Sequence, residues 1–468
     1  MKILYVGGEA LPFASTGGLG DVLGSLPAAL KAYSPEDDVR MVMPLHGKIT
    51  PAWREKMTKV AEFTVQLAWR CQYCGVWALE KDGVTVYFID NEYYFKRSRL
   101  YGEYDDGERY AYFSMAVMEM LEKIGFVPDI LHANDWQSAL TVIYSKVKYP
   151  QYNIKTVYTI HNIEYQGQYD PYILGDIFGI HSKFKCILEY NGCMNLMKGA
   201  IVTSDFVTTV SPNYANELTH DFFAFGLSEI IKDAKHKMVG VINGIDYGYF
   251  SPETGGDIYE SYTAKNYKSG KAKNKAALQA ELGLPVKKNV PLIVMITRFT
   301  AGKGIDLVLH IIEELLQEDV QVAVLGTGDK EYEAAFAALG AKYENMVALI
   351  KFDRVISKKM YAGADIFVMP SKSEPCGLAQ MIACSYGTVP VVRSVGGLYD
   401  SIRTVGEEGA NGFRFDNYNA HELLYTIKSA LDLYKNKTEW NKLTASAKNS
   451  DFTWSNSAAK YIEIYKNL

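Results

Sequence analysis

The sequence predicts an α/β protein built as two doubly wound domains, each a parallel sheet covered by helices. Three observations carry that prediction. Strand-like apolar runs alternate with helix-like segments throughout. The alternation stops at a polar stretch, "YTAKNYKSGKAKNKAALQAELGLP", and then restarts. At 468 residues the chain is also too long for one ordinary core.

The elements follow in order. "KILYVGGEALPFASTGGLGDVLGSLPAAL" opens with an apolar strand, Ile3 to Val6. A loop with Gly17, Gly18 and Gly20 comes next, and a helix is expected from near Asp21. Strand, glycine loop and helix make a phosphate-binding arrangement. The residue before Thr16-Gly17-Gly18 is the neutral Ser15 rather than a cation. "DILHAND" reads as a strand ending at Asp135, "KTVYTIHN" as one ending at His161-Asn162, and "FVTTVSP" as a third. "VGVINGIDYGYFSPET" is a strand followed by turn residues, which places the domain boundary between about 240 and 265. "PLIVMITRF", "VQVAVLGTG", "MVALIKF", "ADIFVMPSKSE" and "VPVVRSVGG" form the second series. The tail "DFTWSNSAAKYIEIYKNL" predicts a helix from Ser455 or Asn456, with Ala459, Ile462 and Tyr465 on its apolar face.

Composition narrows the function classes. A net charge of -5 argues against a broad grip on nucleic acid. The 34 tyrosines suit carbohydrate surfaces, although packing accounts for most of them. Six scattered cysteines are too few for a secreted disulfide framework. Cys71 and Cys74 form a lone C-x-x-C with no second pair, which argues against a metal or redox site. No charged leader precedes the first strand, and no apolar run reaches the ~18 residues of a membrane span. The expectation is a soluble, cytoplasmic protein without a membrane partner.

Open α/β sheets bind ligands beyond the carboxyl ends of their strands, and two such domains facing one another would form a cleft there. Arg298 and Lys303 flank a glycine turn before the helical "IDLVLHIIEELL", a place that favours an anion. A solvated basic loop has the same pattern. Glu374 follows a strand and precedes Pro-Cys-Gly-Leu, which suits either a ligand contact or a helix-capping carboxylate. Gly396 and Gly397 open another helix, where bare amides approach a phosphate closely or simply make a turn. Glu9, Asp21, Asp135 and His161 all lie at or just beyond strand ends in the first half. No D-x-D, H-E-x-x-H or paired-cysteine metal motif occurs, so no metal is expected.

These stretches, with "HANDWQSAL", "TTVSPNYANEL", "TRFTAGKGIDLVL" and "SEPCGLAQMIACSYGTVPVVRSVGGL", resemble bacterial glycogen synthases and starch synthases, glycosyltransferase family 5. The motifs run in family order from residue 1 to about 415. The resemblance implies the GT-B fold. It places an acceptor-side Rossmann-like domain at 1–245, joined by a C-terminal helix at 452–468, and a nucleotide-sugar domain at 246–451. It implies retaining transfer of glucose from ADP-glucose to the 4-hydroxyl at the non-reducing end of an α-1,4-glucan, with no cofactor. Arg298 and Lys303 would hold the diphosphate. Glu374 would meet the donor glucose, helped by Cys376, Gly377 and Leu378. His161 would sit by the anomeric centre, with Asp135 on the acceptor side. Ser15, Gly17, Gly18, Asp21, Phe352, Gly396 and Gly397 complete the implied donor side; Glu9, Asn162 and Asn243 complete the sugar side. Three positions depart from the family pattern: Ser15 replaces a lysine, Ser373 an aromatic residue and Val395 a threonine. Two alternatives stay open: a related GT-B transferase using UDP-glucose, and a glucan-binding paralogue of low activity. A glycogen phosphorylase is disfavoured, since no convincing pyridoxal-phosphate lysine motif is present.

Overall fold

The computed structural model describes residues 1–254 and 256–468. It divides into unit 1, Met1–Gly244 with Trp454–Leu468, and unit 2, Ile245–Thr453.

Among the described residues, the main sheet of unit 1 has nine strands. They are β1 (Lys2–Val6), β2 (Asp38–Pro44), β3 (Thr58–Leu67), β4 (Arg70–Lys81), β5 (Val84–Asp90), β6 (Ile130–Asn134), β7 (Lys155–Ile160), β11 (Phe206–Thr209) and β12 (Met238–Gly240). A small separate sheet holds β8 (Gln168–Tyr169), β9 (Glu189–Tyr190) and β10 (Cys193–Asn195). The large sheet runs β12-β11-β7-β6-β1-β2-β5-β4-β3. All its pairings are parallel except those of β4, which runs antiparallel to both β3 and β5. Ile3 of β1 pairs with Val39 on one side and Ile130 on the other. The order therefore reverses between β1 and β6, the switch point of a doubly wound sheet.

Unit 2 repeats the plan with β13 (Leu292–Ile296), β14 (Gln321–Gly326), β15 (Met346–Ile350), β16 (Ile366–Met369), β17 (Val389–Arg393) and β18 (Phe413–Phe415). Its order is β15-β14-β13-β16-β17-β18, all parallel, with the switch between β13 and β16. Ile293, Val322, Ile366 and Val389 line its core beneath Val308, Ile311 and Ile427 of the covering helices.

Two sequence expectations shift. The C-terminal helix begins at Trp454, not at Ser455 or Asn456. Its buried face is Trp454, Ala458, Tyr461, Ile462 and Tyr465, and Ala459 lies beside that face, half-buried. The helix packs on helix Gly18–Tyr33 within unit 1. Its Tyr465 hydroxyl hydrogen-bonds Nδ1 of His132 at 2.6 Å, and Nε2 of His132 meets the Thr159 hydroxyl. Burial holds the His132 ring well below its ordinary pKa, so the imidazole is neutral.

The polar stretch after residue 262 is the second shift, because it folds into helix Tyr267–Glu281. Its buried face mixes Leu278 and Gly270 with Asn274, Lys275 and Gln279, so hydrophobic periodicity did not reveal it. The Asn274 amide donates to the carbonyls of Glu260 and Gly270. Gln279 donates to Gln321 at 2.6 Å. Lys275 is 5% exposed and pairs with Asp365 at 2.6 Å while donating to the Val290 carbonyl.

The C-x-x-C also takes a definite form. Cys71 and Cys74 lie three apart on β4, so their side chains leave opposite faces. Both are free; Cys71 is exposed, and burial pushes the Cys74 thiol up to about 12.

Removing one partner of a buried pair leaves an uncompensated charge. Lys275→Ala is therefore expected to destabilise unit 2 by about 3 kcal/mol, read as a lower urea midpoint for the unit 2 transition. An unchanged midpoint would mean that the Asp365 carboxylate is hydrated in the folded state.

Candidate active site

The chemistry-bearing residues collect at the two switch points. In unit 2 the loop after β13 carries Arg298 and Lys303, and the loop after β16 carries Ser371 and Glu374. These strands are neighbours, so the two loops meet. The Lys372 amide donates to the Gly302 carbonyl at 2.9 Å. Gly304 has φ +71°, and a Cβ there would lie 2.1 Å from the Pro370 carbonyl oxygen, so only glycine lets the loops approach this closely.

That approach joins the side chains. Lys303 Nζ lies 2.6 Å from Glu374 Oε2, and the Ser371 hydroxyl donates to the same oxygen at 2.9 Å. Glu374 is 7% exposed. None of the described residues donates to its Oε1, which stays available to accept from a ligand hydroxyl. Arg298 is exposed, and among the described residues no carboxylate pairs with it. One cation is thus oriented by the glutamate, and a second is uncommitted.

The glycines after β17 pack against the Glu374 loop. The Gly397 amide donates to the carbonyls of Glu374 and Pro375, both at 3.1 Å, and so is not offered to a phosphate. A Cβ on Gly396 would lie 2.0 Å from the Glu374 carbonyl oxygen, and one on Gly397 would lie 2.1 Å from that of Cys376. This glycine pair seats helix Gly396–Ser401 on the Glu374 loop and holds the loop's shape. Gln380, which sequence reasoning missed, does similar work: its amide donates to the carbonyls of Cys376 and Gly377 and to the Ser401 hydroxyl. Cys376 is buried; Gly377 has φ +70°, and Leu378 caps helix Ala379–Ser385. Phe352, on the loop after β15, is 80% exposed with its ring free of the core.

In unit 1 the helix begins at Gly18, three residues before Asp21, so Gly18 and Gly20 lie in its first turn. Glu9, expected on the sugar side, is spent on this loop. Its Oε2 accepts from the Thr16 amide at 2.8 Å and the Thr16 hydroxyl at 2.7 Å, and its Oε1 from the Gly20 amide at 3.0 Å. A buried carboxylate thus caps a helix N-terminus from outside the helix. Burial raises its pKa, against the pull of these donors. The Ser15 hydroxyl donates to the Gly17 carbonyl at 3.2 Å. Gly17 and Gly18 are exposed, and a side chain at either would stand in open space. Neither position needs glycine for its own packing; the glycines leave backbone amides bare at the helix end. Asp21 is half-buried in that first turn and is itself partnered.

At the β6 end, Asp135 opens its helix with φ +54°, a left-handed conformation that Asp tolerates better than most residues. Its Oδ1 accepts the His161 amide at 2.8 Å. Burial raises its pKa from 3.8 to about 7, opposed by the amides of His161 and Asn162. His161 Nε2 lies 2.9 Å from Asn134 Oδ1. Asn134 donates its own amide to the carbonyls of Val6 and His132, so its oxygen must face the histidine. His161 therefore carries its proton on Nε2, and Nδ1 is left as an acceptor. Burial lowers its pKa to about 3, so the ring is neutral at ordinary pH. Asn134 stood unread inside "HAND", although a strand-end amide before Asp135 was the available signal. The Asn162 side chain accepts the Glu164 amide in a tight turn. Asn243 is buried just after β12, and no described residue hydrogen-bonds its side chain.

Comparison with known proteins identifies the family and the fold. Residues 2–233 match the starch synthase catalytic domain, and residues 278–446 match the glycosyl transferases group 1. The chain is 44% identical to the glycogen synthase of Geobacillus thermodenitrificans (strain NG80-2) over 477 residues, covering 100% of this chain and 98% of that protein. This chain belongs to the glycogen and starch synthase family. Its members are hexosyltransferases, and the chain is one of them. The glycogen synthase of Clostridium botulinum (strain Eklund 17B / Type B) is also 44% identical, over 100% of this chain and 99% of that protein. The catalytic domain of starch synthase IV from Arabidopsis thaliana, bound to ADP and acarbose, superimposes with a TM-score of 0.90 at 31% identity. The match covers 99% of this chain and 98% of that one. The fold is accordingly GT-B. The sucrose-phosphate synthase of Thermosynechococcus elongatus, at 16% identity and a TM-score of 0.62, shares the fold. Among the described residues, no cluster of three or more His, Cys, Asp and Glu is placed to hold a metal ion, and no helix is long and apolar enough to cross a membrane.

Asp135 yields a signed pH dependence. Its folded pKa lies above its unfolded value, so the folded state holds the extra proton between about pH 4 and 7, and stability falls as pH rises through that window. Asp135→Asn retains an oxygen for the His161 amide and removes the titration. The thermal midpoint of Asp135→Asn relative to the original protein should rise from about pH 4 to 7 and then level off. A constant difference across that range would show that Asp135 is ionised throughout.

Proposed function

We propose that this transferase moves glucose from ADP-glucose to the 4-hydroxyl at the non-reducing end of an α-1,4-glucan, with retained anomeric configuration. The observation that carries this reading is the Lys303–Glu374 contact at the unit 2 switch point, with no donor to Glu374 Oε1 among the described residues and an exposed Arg298 on the same loop as Lys303. The ADP and acarbose held by the Arabidopsis relative, and the glycogen synthases among the close relatives, support the donor and acceptor classes.

The chemistry needs two things. The bond from C1 to the diphosphate oxygen breaks and leaves negative charge on ADP. The acceptor O4 then bonds to C1 and gives its proton to the departing phosphate oxygen. In this reading Lys303, held by Glu374, and the exposed Arg298 would meet that developing charge, and cations placed there are an efficient form of transition-state stabilisation. Glu374 Oε2 is held by Lys303 and Ser371, which blunts its nucleophilicity. Its free Oε1 suits a donor hydroxyl, so departure and attack on the same face fit this site better than a covalent glycosyl-enzyme. Phe352 offers an exposed aromatic face for a base. His161 is neutral, so it serves the sugar as a hydrogen-bonding group without adding charge. No metal is required in this reading.

By the family resemblance, the helix N-terminus at Gly17 and Gly18 would meet the donor phosphate, with Ser15 where the family pattern has lysine. That replacement favours one second reading, a changed donor preference. A charge pair near 4 Å is worth roughly 1 to 4 kcal/mol, depending on the local dielectric.

Transfer of labelled glucose to glycogen from ADP-glucose and from UDP-glucose, in EDTA, tests the proposal. Faster transfer from ADP-glucose is expected; preference for UDP-glucose would replace the donor assignment, and bound glycogen without transfer would indicate a glucan-binding paralogue. Lys303→Ala and Glu374→Ala should each lower kcat about a hundred- to a thousandfold while leaving glycogen binding intact. Ser15→Lys should raise kcat about tenfold if that loop meets the donor phosphate. No gain would separate Ser15 from the charge of the leaving group.

A further inference from the structure

His46 follows β2 and is 1% exposed, a histidine buried beside the loop that leaves β1. Its Nε2 lies 2.7 Å from the Gly8 carbonyl oxygen. A carbonyl only accepts, so Nε2 carries the proton and Nδ1 is bare. No described residue hydrogen-bonds Nδ1. Burial lowers the pKa of the ring to about 4, against the pull of the Gly8 carbonyl. The charges of Arg109 and Lys48 act in the same direction as burial, so the imidazole is neutral. The surroundings hold it in place. Phe95 meets the ring edge-on, with centroids 5.9 Å apart. The His46 carbonyl accepts from Arg54 at 2.8 Å, and the Gly47 amide donates to the Phe95 carbonyl at 2.8 Å.

The loop that His46 touches is held mostly by its own bonds. The amides of Ala10 and Ala14 each donate to the other's carbonyl, and the Leu11 amide donates to the Gly20 carbonyl. At its start the loop is tied outward at two points, the Gly7 amide to the Val42 carbonyl at 3.2 Å and the Gly8 carbonyl to His46. Tyr101 and Gln137 crowd the other side of Gly8, where a Cβ would lie 2.9 Å from the Tyr101 hydroxyl and 3.2 Å from Gln137 Cβ. Glu9 is the next residue, and its carboxylate accepts the amides of Thr16 and Gly20.

We infer that His46 is a positioning residue: through the Gly8 carbonyl it sets Glu9, and through Glu9 it sets the helix end at Gly17 and Gly18. The inference rests on the reading that this helix end meets the donor phosphate. Amides at a helix N-terminus bind an anion only along the direction in which they point, so the loop that leads into the helix decides how well they are aimed. A neutral imidazole suits the task. It is a rigid donor that a buried site tolerates, whereas lysine or arginine would set a second cation near the buried Arg109.

The test compares the original protein with His46→Phe, which keeps the bulk of the ring and loses the donor, and with His46→Gln, whose amide nitrogen reaches the place of Nε2. The readouts are hydrogen exchange of the backbone amides in segment 9–20 and transfer from ADP-glucose to glycogen. His46→Phe should speed exchange at Thr16 and Gly20 about tenfold and lower kcat about tenfold, with the half-saturating glycogen concentration unchanged. His46→Gln should recover most of both. His46→Met, unbranched and without a donor, gives the same contrast against His46→Gln if the phenylalanine variant does not fold. Unaltered exchange in that segment for the donor-free variants would overturn the inference. Equal losses in the donor-free and glutamine variants would overturn it too, by making His46 a filler of space. So would a higher half-saturating glycogen concentration with kcat unchanged. If the original protein transfers from neither donor sugar while His46→Phe still speeds exchange at Thr16 and Gly20, the hold of His46 on the loop stands and the synthase reading fails.

Discussion

A parallel sheet wound in both directions has one place where consecutive crossovers diverge, and everything chemical in this protein follows from that constraint. Strand order reverses between β1 and β6 in unit 1 and between β13 and β16 in unit 2. At each reversal two neighbouring strands end side by side, and their following loops part toward opposite faces of the sheet. The gap between them is where side chains distant in sequence come within hydrogen-bonding range. In unit 2 the gap joins Lys303 to Glu374, 71 residues apart; beside the unit 1 gap, the neighbouring ends of β6 and β7 join Asp135 to His161, 26 apart.

Buried carboxylates at these gaps meet three different fates, and the differences decide function. Glu9 gives both oxygens to amides and a hydroxyl of its own loop, so its task is to shape the helix entry. Asp135 is desolvated and supported mainly by backbone amides, so its charge is costly and its pKa climbs to about 7. Glu374 has a cation and a hydroxyl on one oxygen and, among the described residues, no donor on the other. Only the last arrangement combines a firmly held group with unspent hydrogen-bonding capacity. The neutral state of His161 has a similar origin, since burial and the Asn134 oxygen together leave a proton on one nitrogen only.

The glycines differ in what packing asks of them. At Gly304, Gly396 and Gly397 a Cβ would collide with carbonyl oxygens of neighbouring loops, so glycine allows backbone to pack against backbone. At Gly17 and Gly18 a Cβ would meet nothing, so packing does not require glycine there. Both look alike in a sequence. The collision distances separate a glycine that packing requires from one that it does not.

Read alone, the sequence determined the architecture and the position of the chemistry along the chain. Apolar runs of strand length alternating with helical segments require parallel sheets, and residues just past each strand must lie on the ligand-binding edge. Arg298, Lys303, Glu374, Asp135 and His161 were all legible in that way. The helix Tyr267–Glu281 was not, because most of its buried face is Asn274, Lys275 and Gln279, which find partners outside the helix. Asn134, Ser371 and Gln380 were missed because nothing local distinguishes a polar residue that orients a neighbour from one that faces water. Tertiary structure alone decided which candidate groups are spent on the protein and which remain for a substrate. Hydrogen-bond capacity is consumed by partners brought close in space, and spacing along the chain carries no record of who those partners are.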